Sequence, residues 1–211
     1  MGFISQWLWL SGLGLGAVVS PGPDFAVVTK NSLLYSRRVG LYTALGIFCG
    51  NVWWISVSIA GVSFLIAWKE TVFDAVKLIG ASYLIYLGVK ALLAKKSAEP
   101  EEDLAGGSGL KMSALGAFWN GLNTNFWNPK AIMFFISFFS VLLTPATPLW
   151  LRAFYGAEIS LFALTWFSLL ATVLSISEVK RVFRRIRTLV ERIMGAVFIG
   201  FGFWFAFSKA R

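Results

Sequence analysis

Two charged residues lie inside apolar runs of this chain, and each directly follows a proline. Asp24 ends the string SPGPD at positions 20–24, and Lys130 follows the asparagine-proline pair at 128–129. A carboxylate binds an ammonium group and an ammonium group binds a carboxylate, so together they could hold both charged ends of a zwitterion such as an amino acid. Ionisable residues inside membrane segments typically mark substrate or ion pathways. We take these two positions as the candidate site.

Both charges lie at interruptions of helix-forming sequence. Proline fixes φ and lacks a backbone donor, and Gly22 between Pro21 and Pro23 allows unusual dihedrals. A freed carbonyl in hydrocarbon costs several kcal/mol unless protein or water meets it, so each break should line a polar cavity. Asparagines before the second break add amide groups. The predicted substrate-binding residues are Pro21, Gly22, Pro23, Asp24, Asn120, Asn123, Asn128, Pro129 and Lys130.

Two acidic residues are candidates for coupling to protons. Asp24 lies at the first break, although its position near the end of its segment also fits an interfacial aspartate. Glu158 lies about 12 Å into the fifth apolar segment at 1.5 Å per residue. It could equally be a structural partner of Lys130 or Arg152. The sequence leaves open which of the two acids carries a proton.

Composition predicts a multi-pass membrane protein. The 211 residues are 57% hydrophobic and 14% charged, with a mean hydropathy of +0.72, whereas soluble domains carry about 25% charged residues. Histidine is absent and Cys49 is the single cysteine. This excludes histidine-based catalysis, histidine metal sites and intramolecular disulfides, so we expect no enzyme activity, no metal and no cofactor. The net charge of +9 comes from clusters between apolar runs, which fits loops rather than nucleic-acid binding.

Six segments are apolar and long enough to span a bilayer, which takes about 20 residues. They are 3–29, 39–67, 72–93, 114–143, 150–177 and 190–207, and the first and fourth contain the breaks. A polar, glycine-containing linker at 94–113 separates them into two groups of three. The predicted division is a first repeat at 1–93, the linker at 94–113 on the cytoplasmic side, and a second repeat at 114–211.

The distribution of basic residues predicts the orientation. Thirteen of the 19 Lys and Arg residues lie in the loops after segments one, three and five, and five lie on the opposite side. Cytoplasmic loops carry the excess of Lys and Arg. We therefore expect a bacterial inner-membrane protein with both termini outside, and the arginine-rich run at 180–192 facing anionic lipid head groups.

The order of elements recurs in the two halves. Aligning Pro23-Asp24 with Pro129-Lys130 relates a broken helix, a helix and a glycine-bearing helix in each half. Because three spans is an odd number, the second copy must enter the membrane from the opposite side. Inverted repeats with paired broken helices are the architecture of many secondary transporters. The predicted fold is therefore all-α, with six transmembrane helices in two inverted three-helix repeats and with helices 1 and 4 broken.

The string SPGPDFAVVTKNSLLYSRRVGLYTALGIFCGN, which begins at Ser20, resembles the N-terminal signature of the LysE/RhtB family of amino-acid exporters. NPKA at 128–131 resembles its second signature, and IGASYLIYLG at 79–88 its third-helix pattern. Position 24 departs from the asparagine that the family frequently shows. The resemblance implies export of an amino acid or related metabolite by proton antiport. The matching motif residues are Pro21, Gly22, Pro23, Asn128, Pro129 and Lys130.

Two functions remain to be compared on these grounds, since no enzyme activity is expected. A proton-coupled amino-acid exporter explains the breaks, the charges and the resemblance, and its partners would be the substrate, protons and lipid. A channel-like or structural subunit is the alternative, and it would lack proton coupling. Glycine-rich helix faces are compatible with a homodimer. The sequence does not define the substrate, the coupling ion or the oligomeric state.

Overall fold

The computed structural model describes residues 3–68, 70–93, 111–142 and 147–173, and residues 189, 192–193, 195–200, 202–203 and 206–207 near the C-terminus. These parts of the chain are helical and contain no strand. The predicted orientation rests largely on residues outside them, including most of the linker and the basic residues at 180–187. The helices are α1 (Phe3–Val19), α2 (Pro23–Leu34), α3 (Arg37–Trp68), α4 (Glu70–Leu92), α5 (Ala114–Phe126), α6 (Pro129–Leu142) and α7 (Leu149–Val173).

Both predicted interruptions are present. α1 ends at Val19 and α2 restarts at Pro23, where a missing N–H costs nothing because the first turn has no intrahelical acceptor for it. Gly22 has φ −178° and ψ −170°, an extended conformation open to any residue. The expectation that Gly22 supplies unusual dihedrals is therefore wrong. The second interruption separates Phe126 from Pro129, and the side chain of Asn128 there accepts a 3.0 Å hydrogen bond from the backbone N–H of Lys130.

The described helices differ in their ability to span a membrane. Residues 37–61 and 149–173 are long and apolar enough to cross one by length and composition, whereas residues 7–19, 81–92 and 129–139 form shorter apolar helices. The short lengths in the first and fourth segments follow from the breaks, which divide each segment between two helices. Large apolar side chains, among them Trp9, Trp53 and Leu161, are more than half exposed. Such a surface suits contact with lipid.

α3 is the central helix of the described structure, and it packs most extensively against α5 and α7. Glycine makes the close approach to α5 feasible. A Cβ on Gly46 would collide with the backbone carbonyl oxygen of Phe118, and one on Gly121 would collide with that of Thr43. A Cβ on Gly50 would meet the side-chain oxygen of Asn125. The backbones of α3 and α5 therefore touch along a glycine seam.

Two apolar clusters form the core. The first joins phenylalanines 134, 135, 138 and 139 of α6 to residues of α1 and α7, including Leu13 and Ile159. The second joins Phe25 and Val28 of α2 to residues of α3 and α7, including Phe167. Side chains from both clusters border the same small cavity. The two interrupted helices meet at the junction of the clusters.

Candidate functional site

The two breaks border one cavity of about 40 Å³. A water molecule needs about 10–15 Å³ by this kind of measure, so there is room for about three or four waters. Pockets that hold a whole small molecule are typically about 300–1,000 Å³. The cavity in this structure is therefore smaller than a typical small-molecule pocket. Its polar lining consists of Ser20, Gly22, Asp24, Asn51, Asn128 and Lys130, and its apolar wall includes Phe25, Phe134, Phe135 and Phe167.

Asp24 is held by the amide group of Asn125 on α5, which also bonds to Asn51 on α3. Its Oδ2 accepts a 2.8 Å hydrogen bond from Nδ2 of Asn125, and the same nitrogen donates at 2.9 Å to Oδ1 of Asn51. Asn125 is fully buried and Asn51 nearly so. We call Asp24, Asn51 and Asn125 the carboxylate layer, since it ties the start of α2 to α3 and α5.

The other oxygen of Asp24 is unsatisfied. Oδ1 is buried and has no hydrogen-bond partner in the described chain. The side chain of Asn128 and the charge of Lys130 both lie close enough to act on this carboxylate. A buried carboxylate oxygen without a hydrogen-bond donor is costly, because it has lost its hydrogen bonds to water. Its place at the cavity makes it available to a donor on a ligand or on water.

Lys130 reaches across the cavity to the first break. Its Nζ donates a 2.6 Å hydrogen bond to the backbone carbonyl oxygen of Ser20. In a continuous helix this carbonyl would accept the N–H of Asp24, so the break is what frees it. The carbonyl also lies at the C-terminal end of α1, where the helix dipole favours a cation. A Cβ on Gly22 would lie only 3.2 Å from Cδ of Lys130, so the glycine gives the lysine its room.

A second polar layer crosses the same three helices. Nδ2 of Asn31 donates to Oγ1 of Thr43 and to Oδ1 of Asn120, each at 2.9 Å. We call these three residues the amide layer. Going from the carboxylate layer to the amide layer, the residue number rises along α2, whereas it falls along α3 and along α5. α2 therefore runs antiparallel to both of these helices. The first interrupted helix and the start of the second thus run in opposite directions.

The structure brings together some of the predicted site residues and separates others. Gly22, Asp24, Asn128 and Lys130 line the cavity, whereas Pro21, Pro23, Asn120, Asn123 and Pro129 do not. The three prolines shape the breaks, Asn120 belongs to the amide layer, and Asn123 is exposed. Sequence reasoning did not select Ser20, Asn51 or Asn125. An amide inside an apolar helix was the available signal for Asn51 and Asn125.

Glu158 lies between α1 and α7 and does not line the cavity. Its Oε1 accepts a 2.8 Å hydrogen bond from the hydroxyl of Ser11. Its Oε2 is buried and has no hydrogen-bond partner in the described residues. The next residue, Ile159, forms part of the cavity wall, so this carboxylate is adjacent to the site through one helix.

No cluster of three or more potential metal-binding His, Cys, Asp or Glu side chains occurs in the parts of the chain with described coordinates. The cavity instead offers one carboxylate, one ammonium group, two amides and a backbone carbonyl. This donor set suits a small polar molecule that carries both charges.

Apolar exposed surfaces and interrupted helices around a buried charged cavity are features of helical membrane transporters. The model of the LysE type translocator family matches residues 15–209, and the chain belongs to this family. It is 32% identical over 198 residues to the threonine efflux protein of Salmonella typhi, covering 92% of this chain and 93% of that protein.

Two further relatives come from Escherichia coli strain K12. The threonine efflux protein of that strain is 30% identical over 197 residues, covering 92% of this chain and 93% of the relative. The uncharacterized membrane protein YahN is 29% identical over 191 residues, covering 88% and 82% respectively. No solved structure matches the chain significantly.

Proposed function

We propose that this protein is a secondary transporter that exports an amino acid from the cytoplasm in exchange for protons. The observation that carries the proposal is the cavity where the unsatisfied Oδ1 of Asp24 and the ammonium group of Lys130 meet. The family and the relatives named threonine efflux protein support an amino-acid substrate.

The substrate binds between the two breaks. Asp24 accepts hydrogen bonds from the substrate ammonium group, and Lys130 binds its carboxylate through charge-assisted hydrogen bonds. Asn128, which is buried at the second break, contributes amide hydrogen bonds. Gly22 supports the site by leaving space for the lysine side chain.

Alternating access follows from an inverted repeat, with units at 1–93 and 114–211 joined by a cytoplasmic linker at 94–113. The opposite directions of α2 and α5 support this arrangement, since equivalent elements of inverted repeats run in opposite directions. Close contact between the third and sixth predicted segments, which are counterparts in such a repeat, supports it as well. A Cβ on Gly88 would meet the carbonyl oxygen of Gly195 at 2.6 Å, and one on Gly195 would meet that of Gly88 at 2.7 Å.

Of the two candidate acids, we assign the proton to Glu158. A serine hydroxyl can donate to a carboxylate or accept from a carboxylic acid, so Ser11 can serve both states of Glu158. The side-chain N–H group of Asn125 can only donate, so it pairs with an oxygen of Asp24 that accepts, as a carboxylate oxygen does. Asp24 then binds substrate while Glu158 binds the proton. The protein functions in this scheme as a multi-pass protein of the bacterial inner membrane, with both termini outside.

Counterflow in proteoliposomes tests the function. Vesicles containing the purified protein are loaded with one unlabelled amino acid at a time, and uptake of trace labelled amino acid is measured with and without a pH gradient. An exporter gives transient accumulation for its substrate, and the gradient accelerates net efflux. A channel-like protein equilibrates label without either effect. Absence of counterflow across all proteinogenic amino acids contradicts the proposal.

A further inference from the structure

Lys130 makes a contact that a substrate ammonium group would also make. Its Nζ donates to the carbonyl oxygen of Ser20 at 2.6 Å. That carbonyl borders the same cavity as the buried, unsatisfied Oδ1 of Asp24. Two acceptors beside one cavity, a freed carbonyl and a carboxylate oxygen, form a site for an ammonium group. In this structure the ammonium group of Lys130 is hydrogen-bonded to the first of these acceptors, the carbonyl oxygen of Ser20.

We propose that Lys130 occupies part of the substrate's ammonium subsite while the transporter is empty, and that substrate binding moves it to the substrate's carboxylate. This inference rests on the proposed function and specifies how the same site selects its substrate. The incoming ammonium group bonds to the Ser20 carbonyl and to Oδ1 of Asp24. The displaced lysine ammonium then pairs with the carboxylate, so that no charge is left unpaired in the cavity.

The geometry gives this exchange a physical basis. A Cβ built on Gly22 would lie 3.4 Å from Nζ of Lys130, so the lysine side chain fills the space beside this glycine. The cavity of about 40 Å³ is too small for an amino acid while the lysine lies there. Movement of the Lys130 side chain away from the first break therefore enlarges the cavity and also frees the carbonyl oxygen of Ser20 to accept another hydrogen bond.

The exchange predicts that the site requires both charged groups on one molecule. An amine without a carboxylate would have to displace Lys130 and leave its charge without a partner. A carboxylate without an amine would leave the Ser20 carbonyl and Oδ1 of Asp24 without a donor. Each partial ligand therefore binds the native protein more weakly than the complete amino acid does.

A variant that removes the charge of Lys130 distinguishes this exchange from a purely structural role of the lysine. We expect Lys130→Met to weaken binding of L-threonine but to bind 1-amino-2-propanol, its analogue without the carboxylate, about tenfold more tightly than the native protein does. This gain is expected if the Lys130 ammonium group occupies the ammonium subsite in about nine-tenths of the native molecules. Only about one-tenth of them can then bind the amine, which weakens the apparent affinity about tenfold. Binding is measured by saturation-transfer NMR on protein in nanodiscs. Lys90→Met, an exposed lysine on α4, is the matched control and should bind both compounds as the native protein does.

The outcomes are distinct. Tighter amine binding to Lys130→Met supports the exchange, whereas unchanged or weaker amine binding overturns it. If this variant does not fold, the native protein labelled with ¹⁵N at lysine Nζ provides a second test. The Lys130 resonance, assigned with Lys130→Arg, should shift when a counterflow substrate is added, and no shift overturns the inference. Counterflow by the native protein tests the proposed function separately. The counterflow assay depends neither on amine binding to Lys130→Met nor on the shift of the Lys130 resonance.

Discussion

Asn125 donates a 2.8 Å hydrogen bond to Asp24 across 101 positions of sequence. The bond joins the end of α5, just before the second break, to the first turn of α2, just after the first break. The same amide nitrogen also reaches Asn51 on α3. One buried side chain thus fixes the position of the cavity's carboxylate relative to three helices.

Replacing Asn125 with leucine should weaken both stability and substrate binding. The change keeps the approximate size but removes the donor to Asp24 and leaves a second carboxylate oxygen without a partner. An unsatisfied buried polar group costs about 1–3 kcal/mol, and more when it is charged. We expect a lower midpoint of thermal unfolding in detergent and at least a tenfold weaker affinity for the counterflow substrate.

Thr124→Val is the matched control for this change. The hydroxyl of Thr124 bonds only locally, to the carbonyl oxygen of Asn120 at 2.7 Å, one turn earlier on α5. The midpoint of thermal unfolding and the substrate affinity of Thr124→Val should stay close to those of the native protein. An Asn125→Leu variant with native stability and affinity would show that Asp24 does not depend on this bond.

The glycine seam between α3 and α5 should not tolerate a methyl group. In Gly46→Ala the new Cβ would collide with the backbone of Phe118, which cannot rotate away as a side chain can. Overpacking of this kind costs about 1–3 kcal/mol, and more where backbone must move. We expect a lower thermal midpoint and a lower yield of folded protein.

Gly61→Ala tests the same substitution on the same helix without the collision, because no atom of the described residues lies within 4 Å of the Cβ position there. It should be neutral or slightly stabilising, since alanine favours helix more than glycine does. Equal thermal midpoints for the two variants would contradict the close approach of α3 and α5.

The two carboxylates should separate substrate exchange from proton coupling. We expect Glu158→Gln to exchange labelled for unlabelled substrate at a near-native rate, while a pH gradient no longer accelerates net efflux. Asp24→Asn should lose exchange itself, because it removes the charge that binds the substrate ammonium group. The measurement is efflux from proteoliposomes with and without the gradient. Gradient-accelerated efflux by Glu158→Gln would contradict the assignment of the proton to this residue.

The helix order through α7 and both breaks could be predicted because they depend on local chemistry. Proline removes a donor wherever it stands, and the apolar runs around Pro23 and Pro129 leave helix as the main way to satisfy the backbone. The charged pair could be selected for a similar reason, since ionisable groups are rare in such runs. These features need no knowledge of which helices are neighbours.

The partners of Asp24 could not be predicted in the same way. Asn51 and Asn125 act only because the glycine seam brings α3 against α5, and no local pattern specifies that contact. Asn123 and Asn125 differ by two positions, yet one is exposed and the other is fully buried. The role of the Ser20 carbonyl was likewise hidden, because a backbone group has no signature of its own in the sequence.

Counterflow by Lys130→Ala, compared with Lys90→Ala at equal amounts of inserted protein, tests the central claim most directly. The claim is that the two interrupted helices build one substrate site from Asp24 and Lys130. We predict that Lys130→Ala inserts normally but shows no accumulation of labelled amino acid, while Lys90→Ala accumulates it like the native protein. Native-level counterflow by correctly inserted Lys130→Ala would contradict the account.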